Sequence, residues 1–188
     1  MSEFKMKKAI FLFDVTGLMA KPWADAGYLC YCFDGQHPSG VSKSSHDGIL
    51  NVGMFFQSHA TLAMATQIKS IVGNCDFVFG FPECTDLTNA GSKHWAGKLE
   101  FNPLAWEEAI ALCDMVRVVG NLFNCKWAFE NPVGKLSSLY RKPDFKFNPC
   151  DYANYLPTDE PHPVYPDIYP VQDRYNKGTC IWTGNGFK

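Results

Sequence analysis

Two side chains pair a reactive group with a position at the end of a strand. Cys84 lies in Asp76-Phe77-Val78-Phe79-Gly80-Phe81-Pro82-Glu83-Cys84-Thr85-Asp86. The apolar run from Phe77 predicts a short buried strand, and Pro82 stiffens the turn that presents the thiol. A group at the carboxyl end of such a strand stands where open α/β sheets build their sites. As a thiolate, Cys84 is a nucleophile; the plain alternative is a buried structural cysteine, the commoner fate of a free thiol. Glu130 ends a second run, Lys126-Trp127-Ala128-Phe129, and leads into Asn131-Pro132-Val133-Gly134. Alone it reads as a strand-ending acid before an Asn-Pro turn. Set one strand–helix–strand unit after Cys84, it becomes a candidate catalytic group.

The elements that must hold these residues follow from hydrophobic periodicity. Lys8 to Phe13 predicts a first buried strand, broken at Asp14-Val15-Thr16-Gly17. Leu18 to Ala26 has helical composition with Pro22 near its start, and Gly27 closes it. Tyr28 to Phe33 predicts a second strand, ending at Asp34. Strand, glycine turn, helix, strand and acid form the outline of a nucleotide-binding half. An ordinary tight turn and a surface acid fit the same residues.

Residues 35–48 are rich in Gly, Pro, Ser and His and predict a surface loop before a third strand over Ile49 to Met54. Phe55 and Phe56 suit core packing, or the face of an adenine ring. Ser58 to Ile71 predicts a helix with Leu62, Ala65, Ile68 and Ile71 or Val72 on its apolar face. Thr85 to Phe101 is polar and irregular, with Lys93, His94 and Lys98 on a solvated loop. The clearest helix starts at Asn102-Pro103, carries Glu107 and Glu108 early, buries Trp106, Ala109, Ile110, Cys113 and Val116, and ends at Gly120. Residues 141–188 form an irregular Pro/Tyr-rich tail packed over the sheet, with a last strand over Thr179 to Thr183. The expected class is α/β: one domain, 1–188, with a mainly parallel sheet and helices on both faces.

Composition narrows the function. At 188 residues and 46% hydrophobic, the chain suits one globular core. A net charge of −2 leaves no global basic field, so nucleic-acid contact needs a local patch, or the substrate is small. The eight cysteines include no Cys-x-x-Cys, which predicts no metal site and mostly buried thiols in a reducing, cytoplasmic setting. Lys5, Lys7 and Lys8 precede an apolar run too short for a signal peptide or membrane span.

The segments together resemble the cytosine-C5 DNA methyltransferases, in that family's order. The Cys84 loop is similar to its Gly-(any)-Pro-Pro-Cys nucleophile loop, with Glu83 at the second proline. Phe13-Asp14-Val15-Thr16-Gly17 resembles the first motif, Phe-(small)-Gly-(any)-Gly, and Glu130-Asn131-Pro132 resembles Glu-Asn-Val. Gln172-Asp173-Arg174 is similar to the start of Gln-x-Arg-x-Arg.

The resemblance implies a SAM-dependent methyltransferase fold, a Rossmann-like three-layer sandwich, with S-adenosyl-L-methionine (SAM) as cofactor. Phe13, Asp14, Thr16, Gly17 and Pro82 would line the cofactor site. Asp34 would grip the ribose, and backbone N–H groups would hold the methionine carboxylate. Cys84 would be the nucleophile and Glu130 the acid at cytosine N3, with Arg174 beside them to offset Glu83. Asn131, Thr85 and Lys93 would meet substrate.

The whole looks most like the small methyltransferase-like proteins of bacteriophages, which would place it in the host cytoplasm. The large target-recognition domain of full-length members is absent. The resemblance then implies DNA as partner with specificity weak or supplied by a separate protein. Two rivals stand beside it: C5 modification of a free pyrimidine nucleotide such as dCMP, and a silent SAM- or nucleic-acid-binding homologue.

Overall fold

The computed structural model describes residues 6–162 and 165–187. Lys5 and the extreme ends of the expected 1–188 domain lie outside the described residues. In chain order the strands are β1 (Lys8–Leu12), β2 (Leu29–Lys43), β3 (Ile49–Gly53), β4 (Phe77–Gly80), β5 (Lys126–Pro132), β6 (Phe145–Phe147) and β7 (Thr179–Gly184). The helices are α1 (Lys21–Asp25), α2 (Thr61–Val72), α3 (Trp95–Phe101), α4 (Ala105–Phe123) and α5 (Leu136–Leu139).

All seven strands join one sheet in the order β3-β2-β1-β4-β5-β7-β6. β1 pairs in parallel with β2 and β4, and β4 with β5. β7 runs antiparallel between β5 and β6. The result is a Rossmann-like α/β fold with a mostly parallel sheet. The chain crosses from β3 over α2 to β4, reversing the direction of strand order beside β1, and sites form at such a switch.

Ala9, Ile10, Phe11 and Leu12 of β1 are fully buried, as a central parallel strand covered on both faces requires. One face packs on α2 and α4. There Met64, Ala65, Ile68, Val72, Cys113, Val116 and Val119 meet Ile10, Leu12, Val78, Phe129 and Trp182. The other face carries Phe11, Cys30, Cys32, Phe77, Phe79 and Ala128. Its cover is thin: α1 has five residues, and Trp23 and Phe187 stack on Phe77 at 4.7 Å and 5.3 Å.

Several expectations need correction. The expected helix from Leu18 is only α1, because turns occupy the residues before Lys21. Residues 35–48 are not simply a loop. Cys30 to Asp34 run along one side of β3; the chain then turns, and Val41↔Val52, Ser42↔Asn51 and Lys43↔Leu50 pair on its other side, partner numbers falling as residue numbers rise. β-branched Val41 between polar neighbours was too weak a strand signal to predict this. Leu62 is 64% exposed and Met64 takes its place in the core, because α2 begins at Thr61 and its first turn points outward. α4 passes Gly120, which packs against Trp127, and ends at Asn124 with φ 52. Thr85 to Phe101 contains a 3-10 turn over Asn89–His94 and then α3. In the 141–188 segment β7 falls where the last strand is expected, and β6 is a further strand that the sequence did not predict.

Candidate catalytic and nucleotide-binding site

The loop after β4 is bound directly to the end of β5. The Asn131 side-chain amide donates to the Pro82 carbonyl at 3.2 Å, with both residues buried. Leu87 and Thr88 N–H groups close the turn on the Cys84 carbonyl at 3.0 Å and 2.8 Å. Lys135 N–H donates to Leu87 O at 2.8 Å, and Asn89 N–H to Val133 O at 3.2 Å. Gly134 permits this approach, since a Cβ there would lie 2.0 Å from Leu87 O. The antiparallel register Asn131↔Cys180 and Pro132↔Thr179 brings the residues before β7 to the same place, and Val133 N–H donates to Gly178 O at 3.0 Å. Three separate stretches thus meet around Cys84, Glu130 and Lys177.

Charge couples these groups. The half-buried Cys84 thiol has its pKa pushed up by burial first, then by the Glu130 carboxylate; Lys177 pulls it down and Glu83 adds a smaller upward push. Burial also raises the Glu130 pKa, with Lys177 again opposing. Glu130 Oε1 and Asn131 Oδ1 are buried without a hydrogen-bond partner among the described residues. A carboxyl that keeps its proton above the usual range and has an open oxygen can donate to a ligand.

Arg174 is engaged by two other side chains. Its Nε donates to Gln172 Oε1 at 2.7 Å and its Nη2 to Asn154 Oδ1 at 3.1 Å. The cation acting on both Cys84 and Glu130 is Lys177, which the sequence reading missed. An exposed lysine shortly before a strand carries no signal of its own; only the register of β7 on β5 locates it. Thr85 Oγ1 donates to Glu83 Oε1 at 2.6 Å, so its hydroxyl is engaged within the loop. Lys93 is exposed on the 3-10 turn and lines a cleft of about 720 Å³ with Asp86, Lys98 and Phe101. Lys98 forms an ion pair with Asp86 there. A cleft of about 880 Å³ lies along α4, without Cys84 in its lining, and its Arg117 and Asp114 neutralise each other at 2.6 Å.

The expected cofactor end lies at the switch between β1 and β4. Phe13 adopts φ 60, a left-handed conformation costly for an aromatic residue, and its ring lies 4.3 Å from that of Phe56. Phe13, Asp34, Phe55, Phe56, Phe81 and Glu83 line a cleft of about 500 Å³. A second lobe of about 300 Å³ shares Phe13 and Phe81 and reaches Asp14 and Thr16. Phe55 is 77% exposed, which sets aside core packing for that ring. Asp34 Oδ1 accepts from Gln36 N–H at 2.8 Å, and Oδ2 has no partner among the described residues. A carboxylate so held suits a diol at the cleft's rim.

Asp14 behaves differently from expectation. Its buried carboxylate accepts from Gly17 N–H at 2.8 Å and from Thr16 N–H and Oγ1 at 3.1 Å each. Gly17, with φ 67, makes that turn possible. The amides expected to hold a ligand carboxylate are therefore already satisfied from within the loop. Pro82 is buried under Asn131 rather than lining either lobe. Glu83 faces the cleft while Cys84 faces Glu130, so two successive residues connect the nucleotide end to the thiol. Among the described residues, no group of three or more His, Cys, Asp or Glu side chains is placed to hold a metal. None of their helices is long and apolar enough to cross a membrane.

No protein-family model and no curated protein matches the chain. Among solved structures, two phenylalanine double variants of a Serratia marcescens short-chain dehydrogenase/reductase superpose at a TM-score of 0.41, with 14% and 16% identity. The match covers 62% of this chain and 50% of theirs, so the chain spans half the length of those enzymes. A similarity of that size carries no functional argument.

Proposed function

We propose that the protein is a SAM-dependent methyltransferase that modifies C5 of cytosine in DNA through a covalent bond to Cys84. The observation that carries this reading is Glu130: a half-buried residue whose buried Oε1 has no hydrogen-bond partner among the described residues, electrostatically coupled to a half-buried thiol on the neighbouring strand end. Cytosine C5 is a poor nucleophile. Addition of the Cys84 thiolate to C6, with Glu130 delivering a proton to N3, makes C5 an enamine carbon that can attack an electrophile. Lys177 stabilises the thiolate form against its acidic neighbours. Loss of the C5 proton and departure of Cys84 then restore the aromatic ring. When bound, SAM supplies the methyl electrophile.

The residues at the nucleotide end fit SAM in part. Asp34 would hold the ribose hydroxyls, with Phe55, Phe56 and Phe81 around the base. The methionine carboxylate finds no free amides on Thr16 or Gly17 and must be met elsewhere in the smaller lobe. The antiparallel β7 inserted between β5 and β6 also departs from the 3-2-1-4-5-6 order of dinucleotide-binding sheets, which counts against a nicotinamide cofactor.

Asp14 and the raised Cys84 pKa favour one second reading, a silent homologue that keeps the fold and the cleft. Covalent trapping separates the two. The protein is incubated with SAM and oligonucleotides or nucleotides carrying 5-fluorocytosine, which cannot lose its C5 substituent. An adduct mapped to Cys84 by mass spectrometry is expected from single-stranded DNA, where no stacking must be broken, and less from duplex. An adduct from dCMP analogue alone would move the substrate to the free nucleotide. No adduct with any substrate, in protein that binds an adenosine ligand, leaves the silent reading.

A further inference from the structure

Cys75 and Cys125 lie at the end of the sheet remote from Cys84. Cys75 stands two residues before β4 and Cys125 one before β5; the pairing Phe77↔Lys126 carries back to Asp76 opposite Cys125, so the cysteines are diagonal neighbours at the amino ends of adjacent parallel strands, in one core cluster. The Cys75 thiol donates to the Phe77 carbonyl at 2.8 Å, and its side chain is electrostatically coupled to Cys125. Both are free thiols, 9% and 8% exposed, and both line a cleft of about 570 Å³ with Asp76 and Lys126. Adjacent strands lie about 4.8 Å apart and a one-residue offset adds about 3.3 Å along them, so the diagonal stays within the about 4.4–6.8 Å that disulfides span between Cα atoms. Side-chain rotation is therefore enough to join the sulfurs. The Cys75 proton is engaged with the Phe77 carbonyl, and the neighbouring Cys75 side chain favours the thiolate on Cys125, while Asp76 works against charge on both. That asymmetry divides the pair into an attacking and a resolving sulfur.

We propose that Cys75 and Cys125 are a reversible oxidation site that closes into a disulfide on meeting a low-molecular-weight disulfide such as oxidised glutathione. The Cys125 thiolate attacks one sulfur of the oxidant, forming a mixed disulfide and releasing one glutathione thiolate. That thiolate takes the Cys75 proton, and Cys75 attacks the Cys125 sulfur and expels the second glutathione. Two protein thiols are oxidised and one glutathione disulfide is reduced to two thiols. The new bond closes a loop holding β4, the Cys84 turn, α3 and α4, and tethers β4 to β5 at their amino ends. It restricts the unfolded chain and leaves Cys84 free.

The test uses the full chain, oxidised glutathione at a series of ratios to reduced, and digestion without reductant. A peptide pair joining Cys75 to Cys125 is expected. With it come a higher melting temperature that dithiothreitol reverses and undiminished alkylation of Cys84 by iodoacetamide. Folded Cys75→Ser should stop at a glutathione adduct on Cys125. The proposal is overturned if Cys84 or Cys150 takes glutathione while Cys75 and Cys125 stay reduced, if the crosslink joins other cysteines, or if the wild-type chain stops at the Cys125 adduct.

Discussion

The Asn131 side-chain amide reaches across from the end of β5 to the Pro82 carbonyl, two residues before Cys84, at 3.2 Å. It fixes the position of the thiol relative to Glu130, its own neighbour in sequence. Replacing it by alanine leaves a buried carbonyl unpaired, at a cost of about 1–3 kcal/mol. At this chain length each kcal/mol lowers the melting temperature by about 2–4 °C. Asn131→Ala should also alter the rate of Cys84 alkylation; a lower melting temperature with an unchanged rate would mean that the loop is held by its other bonds.

Glu130 sets stability against function. Burial raises its folded-state pKa above the unfolded value, so the native state binds the extra proton and stability falls as pH rises through that window. Glu130→Gln removes the cost of the buried charge. The variant should match wild type below the ordinary carboxylate range and melt higher above it. Thermal melts from pH 4 to 8 check the sign, and turnover in any active preparation should vanish in the same variant.

Lys177 and Arg174 make opposite predictions at one thiol. Lys177→Met removes the cation that lowers the Cys84 pKa, so the pH midpoint of iodoacetamide alkylation should rise. Arg174 is held by Gln172 and Asn154, and Arg174→Ala should leave that midpoint in place. Rates measured between pH 7 and 10 decide; a shift only in the arginine variant would reverse the assignment.

Asp34 should matter to ligand and little to fold. Asp34→Ala deletes the carboxylate with a free oxygen at the cleft rim, and the affinity for S-adenosylhomocysteine by calorimetry should drop about tenfold or more, as for a hydrogen bond to a charged group. The melting temperature should move by only a few degrees. Equal affinity in the two proteins would place the ribose away from β2.

The strands that carry the site were readable because each is a short apolar run ended by a chemically distinct residue: Phe77 to Gly80 before Cys84, and Trp127 to Phe129 before Glu130. What escaped depends on contacts between distant segments. The sequence near Lys177 says nothing about its charge reaching Cys84, because that follows from β7 lying antiparallel on β5. Asp14 looked like a ligand group, and only the fold of its own loop turns its carboxylate back onto Thr16 and Gly17. Leu62 failed as a core residue because helical periodicity fixes spacing, while the packing of α2 on the sheet decides which face turns inward.

The return leg through Val41 and Lys43 has a consequence for how the protein behaves in company. It runs down the outside of β3, and at the opposite margin the sheet stops at β6, three residues long with Lys146 exposed. A growing fibril or a strand-swapped dimer needs a long, flat row of unused amides, and neither margin supplies one. Crowding such molecules together should bring them into contact through their faces and loops, leaving the sheet itself closed to recruitment.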